Sequence, residues 1–506
     1  MSWDRRLCPI DHPARWGSYT PDRPALTASG VTWSWADLEA RVARTARWLV
    51  DDRGLEPGDR VAILAQNHPC FFELAFACFR AGMVLAPLNW RLAPGELDAL
   101  LSLSGARLLM VDEDSRALLA AMQHPLAAEP TALEALEAPP EGPASLPDRR
   151  PLAPLGLEDP ALLLFTSGTT GLPKAAVLPV RQLFWNTVNT QLAFELTAHD
   201  ATVLYTPLFH TGAINVLALP LLQCGGHVVV HRAFEAGAVL REIEQSGITT
   251  VFGVPTTLQM LAEHPDFEAR DLATLRLLLC GGAPLSVALI RQYQARGVRL
   301  TQGFGMTEVG PNCFFLPPDE ALTRAGSVGK PIHFCQARVV VGEREAAPGE
   351  AGELLLAGPH VCLGYHDDPE ATAAAIQDGW FHTGDLVRRD EDGFFYVAGR
   401  KKEMFISGGE NVYPAEVEVA LGGHPAIADC AVVGMPDTRW GEVGCAFVVA
   451  RDPDAFDPAQ VKVWLRERIA HYKVPRAFVV LAELPRNANG KVYKPALVQE
   501  ARGHAS

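Results

Sequence analysis

The sequence predicts an α/β protein that divides into a large N-terminal domain and a small C-terminal domain. At 506 residues the chain is too long for a single hydrophobic core. Short apolar runs alternate with helical patterns through most of it, which is typical of parallel sheets covered by helices on both faces. A polar, charged break at 399–403 is followed by enough residues for an independent small domain. We therefore place a boundary at Lys402 and predict domains at 1–401 and 402–506.

The first clear helical pattern runs from Trp35 to Asp52. Apolar residues recur there at helical spacing, and Ser34 can cap the first turn. The apolar runs that predict buried strands are 60–65, 107–111, 161–165, 227–230, 250–254 and 275–279. A Pro-rich, weakly patterned segment at 138–160 predicts an exposed connector.

From Ala337 the apolar runs become shorter and turns more frequent. This texture, with runs at 352–357 and 393–398, predicts a small β-barrel-like subdomain at the end of the large domain. Beyond Lys402 the pattern predicts a small α+β domain. Its expected elements are a helix from Pro414, strands near Ala431 and Cys445, a helix over 458–470 and a strand over 477–481.

Composition excludes several function classes. With 44 Lys+Arg against 59 Asp+Glu the net charge is −15, which disfavours a nucleic-acid partner. The 10 cysteines have no CxxC or Cys/His ligand spacing, so we expect reduced core thiols and neither a metal cluster nor a disulfide framework. The N-terminus lacks an apolar signal core, and prolines and polar residues interrupt the longest apolar tract, 203–230. We expect a cytoplasmic protein without an integral membrane segment.

The segment 164–174 predicts a phosphate-binding loop. An apolar strand breaks there into hydroxyl residues and glycines and ends on a lysine, and this combination can bring N–H groups, hydroxyls and a positive charge to an anion. The residues concerned are Thr166, Ser167, Gly168, Thr169, Thr170, Gly171 and Lys174. A Walker loop is excluded, because Lys174 follows Pro173 and precedes Ala175.

Two further polar segments at strand ends have the chemistry of a nucleotide site. In 302–308, Phe304 could stack on a base, Thr307 could bind a phosphate oxygen and Glu308 could hold Mg²⁺. In 380–385, Asp385 could accept hydrogen bonds from the hydroxyls of a ribose. Each segment alone is a weak signal.

The segments 399–414 and 484–491 make the pattern specific. Together with the three segments above, they resemble the motif set of the acyl-adenylate-forming superfamily, which includes acyl-CoA synthetases, adenylation domains of peptide synthetases and beetle luciferase. The motifs occur in the family's order and spacing over nearly the whole chain. The resemblance implies a two-step reaction: a carboxylate attacks the α-phosphate of Mg·ATP to give acyl-AMP and pyrophosphate, and a thiol then takes the acyl group and releases AMP.

The resemblance also implies a role for each motif residue. Those expected to bind the nucleotide are Thr166 to Lys174, Gly281, Ala283, Pro284, Gln302, Gly303, Phe304, Thr307, Asp385 and Arg400. Glu308 would bind Mg²⁺, Lys491 would bridge the substrate carboxylate and the α-phosphate, and Lys402 would be the hinge for rotation of the C-terminal domain. Gly408 and Gly409 would line the pantetheine tunnel. Ala175 and Phe165 depart from the family's common glycine and tyrosine without removing a charged contact.

The segment 207–212 separates branches of the family. Amino-acid activators usually place an aspartate after the phenylalanine, whereas this chain has His210, which is typical of CoA ligases. We expect free CoA to be the thiol, since 422–425 imitates only part of a carrier-protein signal and no room for a carrier domain follows. The expected acyl pocket, at Phe184 and Trp185, 210–216 and 303–306, contains no arginine or lysine. This composition favours an apolar monocarboxylic acid over a dicarboxylic acid.

The sequence therefore predicts an ATP-dependent acyl-CoA ligase with ATP, Mg²⁺ and coenzyme A as cofactors, and with Lys491, His210, Lys174 and Arg400 as catalytic residues. A fatty acid is the leading substrate and an aryl acid the alternative. A luciferase-like oxygenase is a second hypothesis. A catalytically silent nucleotide-binding protein is a third, although it has no need for a lysine on a mobile domain. A homodimer is left open.

Overall fold

A computed structural model describes residues 8–122, 130–136, 152–167, 173–282, 285–407, 410–487 and 490–503, with Ser167 described by its backbone only. The chain forms two compact units. The first runs up to Thr323 and also contains Pro331–Gln336 and Leu356–Phe381. The second contains Arg324–Lys330, Ala337–Leu355 and the chain from His382 onward.

The first unit contains two sheets of mainly parallel strands. One sheet has the strand order Thr131–Ala132, Leu108–Val111, Arg60–Leu64, Val84–Pro87, Pro160–Ser167 and Pro173–Pro179. Only its last pair is antiparallel. The other has the order Gly310–Phe315, Leu300–Met306, Leu277–Cys280, Thr250–Gly253, Ala201–Leu204, His227–Val230, Pro24–Ala28 and Val31–Ser34, with an antiparallel pair at each end. The predicted α/β class is confirmed, and the predicted strands agree with the observed ones to within two residues at each end.

Helices cover these sheets. The α-helices of the first unit are His12–Tyr19, Trp35–Arg47, Cys70–Ala81, Pro94–Ser104, Arg116–Ala121, Val180–Phe194, Thr211–Ala213, Leu219–Cys224, Ala236–Gln245, Pro255–Glu263, Asp266–Ala269, Val287–Ala295 and Pro369–Ala375. Ser34 caps its helix as predicted, in a reciprocal capping box with Asp37. The helix that we expected to reach Asp52 is α-helical to Arg47 and ends in a π-helical turn, Trp48–Asp52. Among the described residues, no helix combines the length and the apolar character needed to cross a bilayer.

Antiparallel strands and an α+β fold make up the second unit. The strands that correspond to the predicted β-subdomain are Ser327–Pro331, Gln336–Val341, Arg344–Glu345, Ala351–Ala357, Trp380–Arg389 and Phe395–Arg400. The C-terminal sheet contains Glu410–Val412, Phe405–Ser407, Gly441–Ala450, Ile427–Asp437 and Ala477–Val480, with helices Pro414–Gly422, Pro458–Arg466 and Lys494–Gly503. The compact units reflect packing and not hinge motion, so the boundary at Lys402 stays a prediction.

Candidate active site

The predicted phosphate loop joins two antiparallel strands of the first unit, Pro160–Ser167 and Pro173–Pro179. Thr166 lies opposite Lys174, and its Oγ1 donates a hydrogen bond to the Lys174 carbonyl oxygen at 3.4 Å. A strand therefore follows the loop, where a Walker loop requires a helix. Gly168, Thr169, Thr170 and Gly171 lie outside the described residues, as does the side chain of Ser167.

Among the described residues, Asp368 and Tyr365 lie near the ammonium group of Lys174. Its Nζ lies 3.9 Å from Oδ2 of Asp368 and 5.0 Å from the centroid of the Tyr365 ring. A partly exposed pair at this separation contributes little binding energy. Lys174 therefore lies at the start of its strand, and its partly exposed ammonium group remains accessible to an anion.

Tyr365 also contacts the predicted magnesium ligand. Its hydroxyl donates a hydrogen bond to Oε1 of Glu308 at 3.0 Å, and Glu308 is only 5 % exposed. Tyr365 is held opposite Ala176 by a β-bridge, and the bond from the Val177 N–H to the Gly364 carbonyl extends the pairing. One tyrosine therefore connects the carboxylate at 308 with the lysine at 174.

The backbone of a neighbouring strand lies so close to Gly303, in the predicted nucleotide site, that this position requires a glycine. A Cβ added to Gly303 would lie 2.6 Å from the carbonyl oxygen of Phe314, so no side chain fits there. Phe304, the predicted base-stacking residue, packs edge-on against Phe314 with ring centroids 5.7 Å apart. The side-chain oxygen of Gln302 accepts a hydrogen bond from the backbone N–H of Leu285 at 3.1 Å. This bond anchors the loop that begins at Gly281, whereas Ala283 and Pro284 lie outside the described residues.

Thr307 begins a short 3₁₀ turn, Thr307–Val309, that also contains Glu308. The side-chain amide of Gln182 donates a hydrogen bond to the Thr307 carbonyl at 2.9 Å. Gln182 is buried in the helix Val180–Phe194. The helix therefore supports the turn that carries both predicted phosphate and magnesium residues.

His210 lies in an aromatic environment at the start of the helix Thr211–Ala213. Its ring centroid is 4.5 Å from that of Phe209, which in turn packs edge-on against Trp90 at 6.4 Å. Beside it, an added Cβ on Gly212 would lie 3.1 Å from the ring of Phe252.

The ring of Phe252 lies against both Gly212, in the predicted acyl pocket, and Gly281, in the predicted adenine slot. An added Cβ on Gly281 would also lie 3.1 Å from this ring. The cavity bounded by Gly212, Ala213 and Phe252 has a volume of ≈ 10 Å³. That is room for about one water molecule.

In the second unit, Asp385 and Arg400 lie opposite each other on adjacent antiparallel strands. Nε of Arg400 is 2.6 Å from Oδ1 of Asp385; the aspartate side chain is 5 % exposed and the arginine side chain 46 % exposed. The backbone N–H of Asp385 donates to Oγ1 of Thr383 at 3.0 Å, which fixes the turn. The pair presents an oriented guanidinium beside a carboxylate, as the ribose and phosphate roles require.

Lys402, the predicted hinge, is exposed between two residues that are tied to other elements. Lys401 pairs with Glu353 at 2.9 Å, and Glu403 pairs with Lys494 at 2.7 Å. Lys494 is largely buried; burial lowers its pKa, but Glu418 and Glu403 outweigh that effect and the pKa is raised. The chain is therefore anchored on both sides of Lys402. The glycines 408 and 409 lie outside the described residues.

Lys491 is exposed. The N–H of Asn487 donates to the Lys491 carbonyl at 2.8 Å, and the N–H of Lys491 donates to Oδ1 of Asn487 at 3.0 Å. Gly490 has φ +76°, a left-handed conformation that favours glycine. Two hydrogen bonds therefore tie the backbone of Lys491 to Asn487, while the lysine is exposed to solvent.

The structure brings Thr166, Lys174 and Glu308 together in the first unit, and Asp385 and Arg400 in the second. Tyr365 was missed by sequence reasoning. It lies far along the chain from both residues that it contacts, and no motif spacing identifies a tyrosine that reaches them through sheet pairing.

Comparison with known proteins is consistent with this geometry. Residues 14–366 match the family described as AMP-binding enzyme, and residues 416–491 match the AMP-binding enzyme C-terminal domain. The chain is 43% identical over 483 residues to a feruloyl-CoA synthase of Amycolatopsis sp., covering 95% of this chain and 96% of the relative. It is 41% identical to an indoleacetate–CoA ligase of Aromatoleum aromaticum, covering 94% of each chain.

A solved structure is also similar over nearly its full length. This is the o-succinylbenzoate coenzyme A synthetase of Bacillus subtilis in complex with ATP and magnesium ion, with a TM-score of 0.86 and 30% identity. The match covers 97% of this chain and 99% of that chain. The family predicted from the motifs is confirmed: the chain belongs to the AMP-binding enzyme family of acyl-adenylate-forming enzymes, in its acid–thiol (CoA) ligase branch.

Proposed function

We propose that this enzyme activates an aromatic monocarboxylic acid with Mg·ATP as its acyl-adenylate and transfers the acyl group to CoA. The observation that carries the choice of acid is the identity of 43% and 41% to relatives named for ferulate and indoleacetate, each over nearly the whole chain. Both of those acids combine one carboxylate with an aromatic ring. A fatty acid, the leading substrate predicted from the sequence, becomes the second candidate.

The side chains of the expected acyl pocket support an aromatic acid. Trp185 packs edge-on against Phe334 with ring centroids 4.8 Å apart, and the rings of Phe209 and His210 lie 4.5 Å apart. Aromatic side chains pack favourably on aromatic ligands. An aromatic acid therefore suits this environment.

Each residue of the proposed site would have a separate role in the reaction. Lys174 and the hydroxyl of Thr166 would contact the phosphates that leave as pyrophosphate, and Arg400 with Asp385 would hold ribose and phosphate. The buried Glu308 carboxylate suits Mg²⁺, which prefers oxygen ligands. Bound there, Mg²⁺ would neutralise phosphate charge during attack by the carboxylate. Two anions must approach each other, so these cations supply the electrostatic stabilisation that the first step needs.

Replacing Tyr365 with phenylalanine tests the role of its hydroxyl. The variant keeps the ring beside Lys174 and removes the hydrogen bond to Glu308. Since partners that orient a metal ligand typically change metal affinity by about 10–100-fold, we expect the Mg²⁺ concentration for half-maximal activity to rise by about 10-fold. Titration of activity with Mg²⁺ at saturating ATP measures it. The exposed Tyr19, replaced in the same way, is the control. An unchanged Mg²⁺ dependence in Tyr365→Phe would contradict the proposed role.

A substrate screen tests the proposed function. Purified protein is incubated with Mg·ATP and each of a series of acids, with and without CoA, and AMP, pyrophosphate and acyl-CoA are quantified. Ferulate, indoleacetate and benzoate represent aryl acids, octanoate and palmitate fatty acids, and succinate dicarboxylic acids. We expect the highest kcat/KM with an aryl acid and CoA-dependent AMP release. A higher value with palmitate would refute the choice of acid.

The same assay distinguishes the luciferase-like alternative. That reaction consumes O₂ during AMP release, whereas the proposed reaction consumes CoA and is indifferent to O₂. An oxygen electrode in the reaction vessel separates the two. We further propose that the enzyme acts in the cytoplasm, and sedimentation of the purified protein would test whether it forms a homodimer.

A further inference from the structure

Two thiols and an imidazole converge in the interior of the first unit. Cys313 lies on the strand Gly310–Phe315, Cys335 in the segment Pro331–Gln336 and His360 in the segment Leu356–Phe381. The two Sγ atoms and a ring nitrogen of His360 lie within 4.8 Å of one another. The three residues are 1 %, 7 % and 2 % exposed, respectively.

The imidazole of His360 has one ring nitrogen in contact with its neighbours and one without a partner. Nδ1 lies 2.6 Å from the carbonyl oxygen of Val309, to which it can donate a hydrogen bond, and 4.0 Å from Sγ of Cys313. Nε2 is buried and has no hydrogen-bond partner among the described residues. Metal-binding histidines usually donate their second N–H to a carbonyl or carboxylate in this way. An unpartnered buried nitrogen is costly unless it has a ligand to bind.

We propose that Cys313, Cys335 and His360 form a Zn²⁺ site, in which two thiolates and a ring nitrogen of His360 supply three protein ligands. Two sulfurs and one imidazole are a donor set that Zn²⁺ accepts, and soft thiolates disfavour Mg²⁺. Binding releases the thiol protons to solvent and leaves no redox change to balance. The site joins three separate segments, so an ion there would cross-link the strand that follows Glu308 to the two others. This inference does not depend on the identity of the acid.

Cobalt provides a direct test, because thiolate-to-Co²⁺ charge transfer gives an absorption band that nitrogen and oxygen ligands alone do not. The full-length protein is purified under reducing conditions from medium supplemented with Co²⁺, and separately titrated with Co²⁺. We expect one equivalent of Co²⁺ per chain with a thiolate charge-transfer band, and its loss when Zn²⁺ is added. Elemental analysis after expression with Zn²⁺ should give one equivalent of zinc.

Variants of the cluster make the assignment specific. Cys335→Ala and His360→Ala should weaken binding by more than about 100-fold, beyond the effect of removing a residue that only orients a ligand. Cys78→Ala removes an equally buried thiol elsewhere in the unit and should bind normally. Circular dichroism checks the fold of each variant. Absence of the charge-transfer band in the wild-type protein, or binding that survives both cluster variants, would overturn the proposal. Isolation of a Cys313–Cys335 disulfide under the same reducing conditions would overturn it as well.

Discussion

Replacing Lys491 by alanine is expected to lower the rate of acyl-adenylate formation by roughly 10²–10³-fold, the effect of losing one preorganised charge-stabilising donor. Transfer from preformed acyl-AMP to CoA should change far less. The first half-reaction brings a carboxylate and a triphosphate together, so a cation that bridges them stabilises the transition state. In the second half-reaction an uncharged thioester forms and that need disappears.

The side chain of Lys491 can be truncated without removing either hydrogen bond between Asn487 and Lys491, because both involve the backbone of Lys491. We therefore expect the variant to keep its local backbone conformation. Single-turnover rates for each half-reaction are the measurement. Lys462, a half-buried lysine whose Nζ donates to the Arg476 carbonyl, provides a control with the same loss of charge. Equal losses in both half-reactions would contradict the assignment of Lys491 to adenylation.

Replacing Glu308 by glutamine is expected to lower kcat/KM for ATP by at least about 10²-fold, since a metal ion supplies several kcal/mol of charge stabilisation in the transition state. The amide keeps the size of the side chain and can still accept a hydrogen bond from Tyr365. It loses the negative charge that a hard cation requires. Raising the Mg²⁺ concentration should recover part of the activity.

Isothermal titration with Mg²⁺ and a non-hydrolysable ATP analogue separates loss of metal binding from misfolding. Asp319→Asn is the matched control, because it removes a carboxylate that is 87% exposed on the same stretch of chain. We expect that variant to bind and react as the wild-type protein does. If Glu308→Gln bound Mg·nucleotide with unchanged affinity, the metal assignment would be wrong.

Local sequence patterns predicted the bounds of some strands and helices correctly. The run 227–230 is a strand with the expected bounds, and Ser34 caps the helix that follows it, because both depend on neighbours along the chain. The expected helix over 458–470 ends at Arg466 instead. A terminal turn depends on tertiary packing as much as on local propensity.

Some features of the candidate site could likewise be predicted from the sequence, whereas others depend on the tertiary structure. Motif order was enough to recognise the family, the enzyme class and the chemistry that Lys174, Glu308 and Asp385 could perform, since each motif is contiguous and its residue types follow from the reaction. The roles of the individual residues stay predictions. The sequence could not reveal that Tyr365 contacts both Lys174 and Glu308, because that contact depends on the pairing of segments distant in the chain.

The cysteines show most clearly what could not be predicted from the sequence. Their spacing led us to expect isolated core thiols, and Cys78 and Cys280 have the raised pKa of that state. Cys313, Cys335 and His360 come from three segments with no ligand spacing, yet they meet in the interior. The reaction class followed from the resemblance of the combined motifs to a known family, because each motif is contiguous in the sequence. Which side chains meet across the core was decided only by the tertiary structure, because sheet pairing and packing join residues that no local pattern connects.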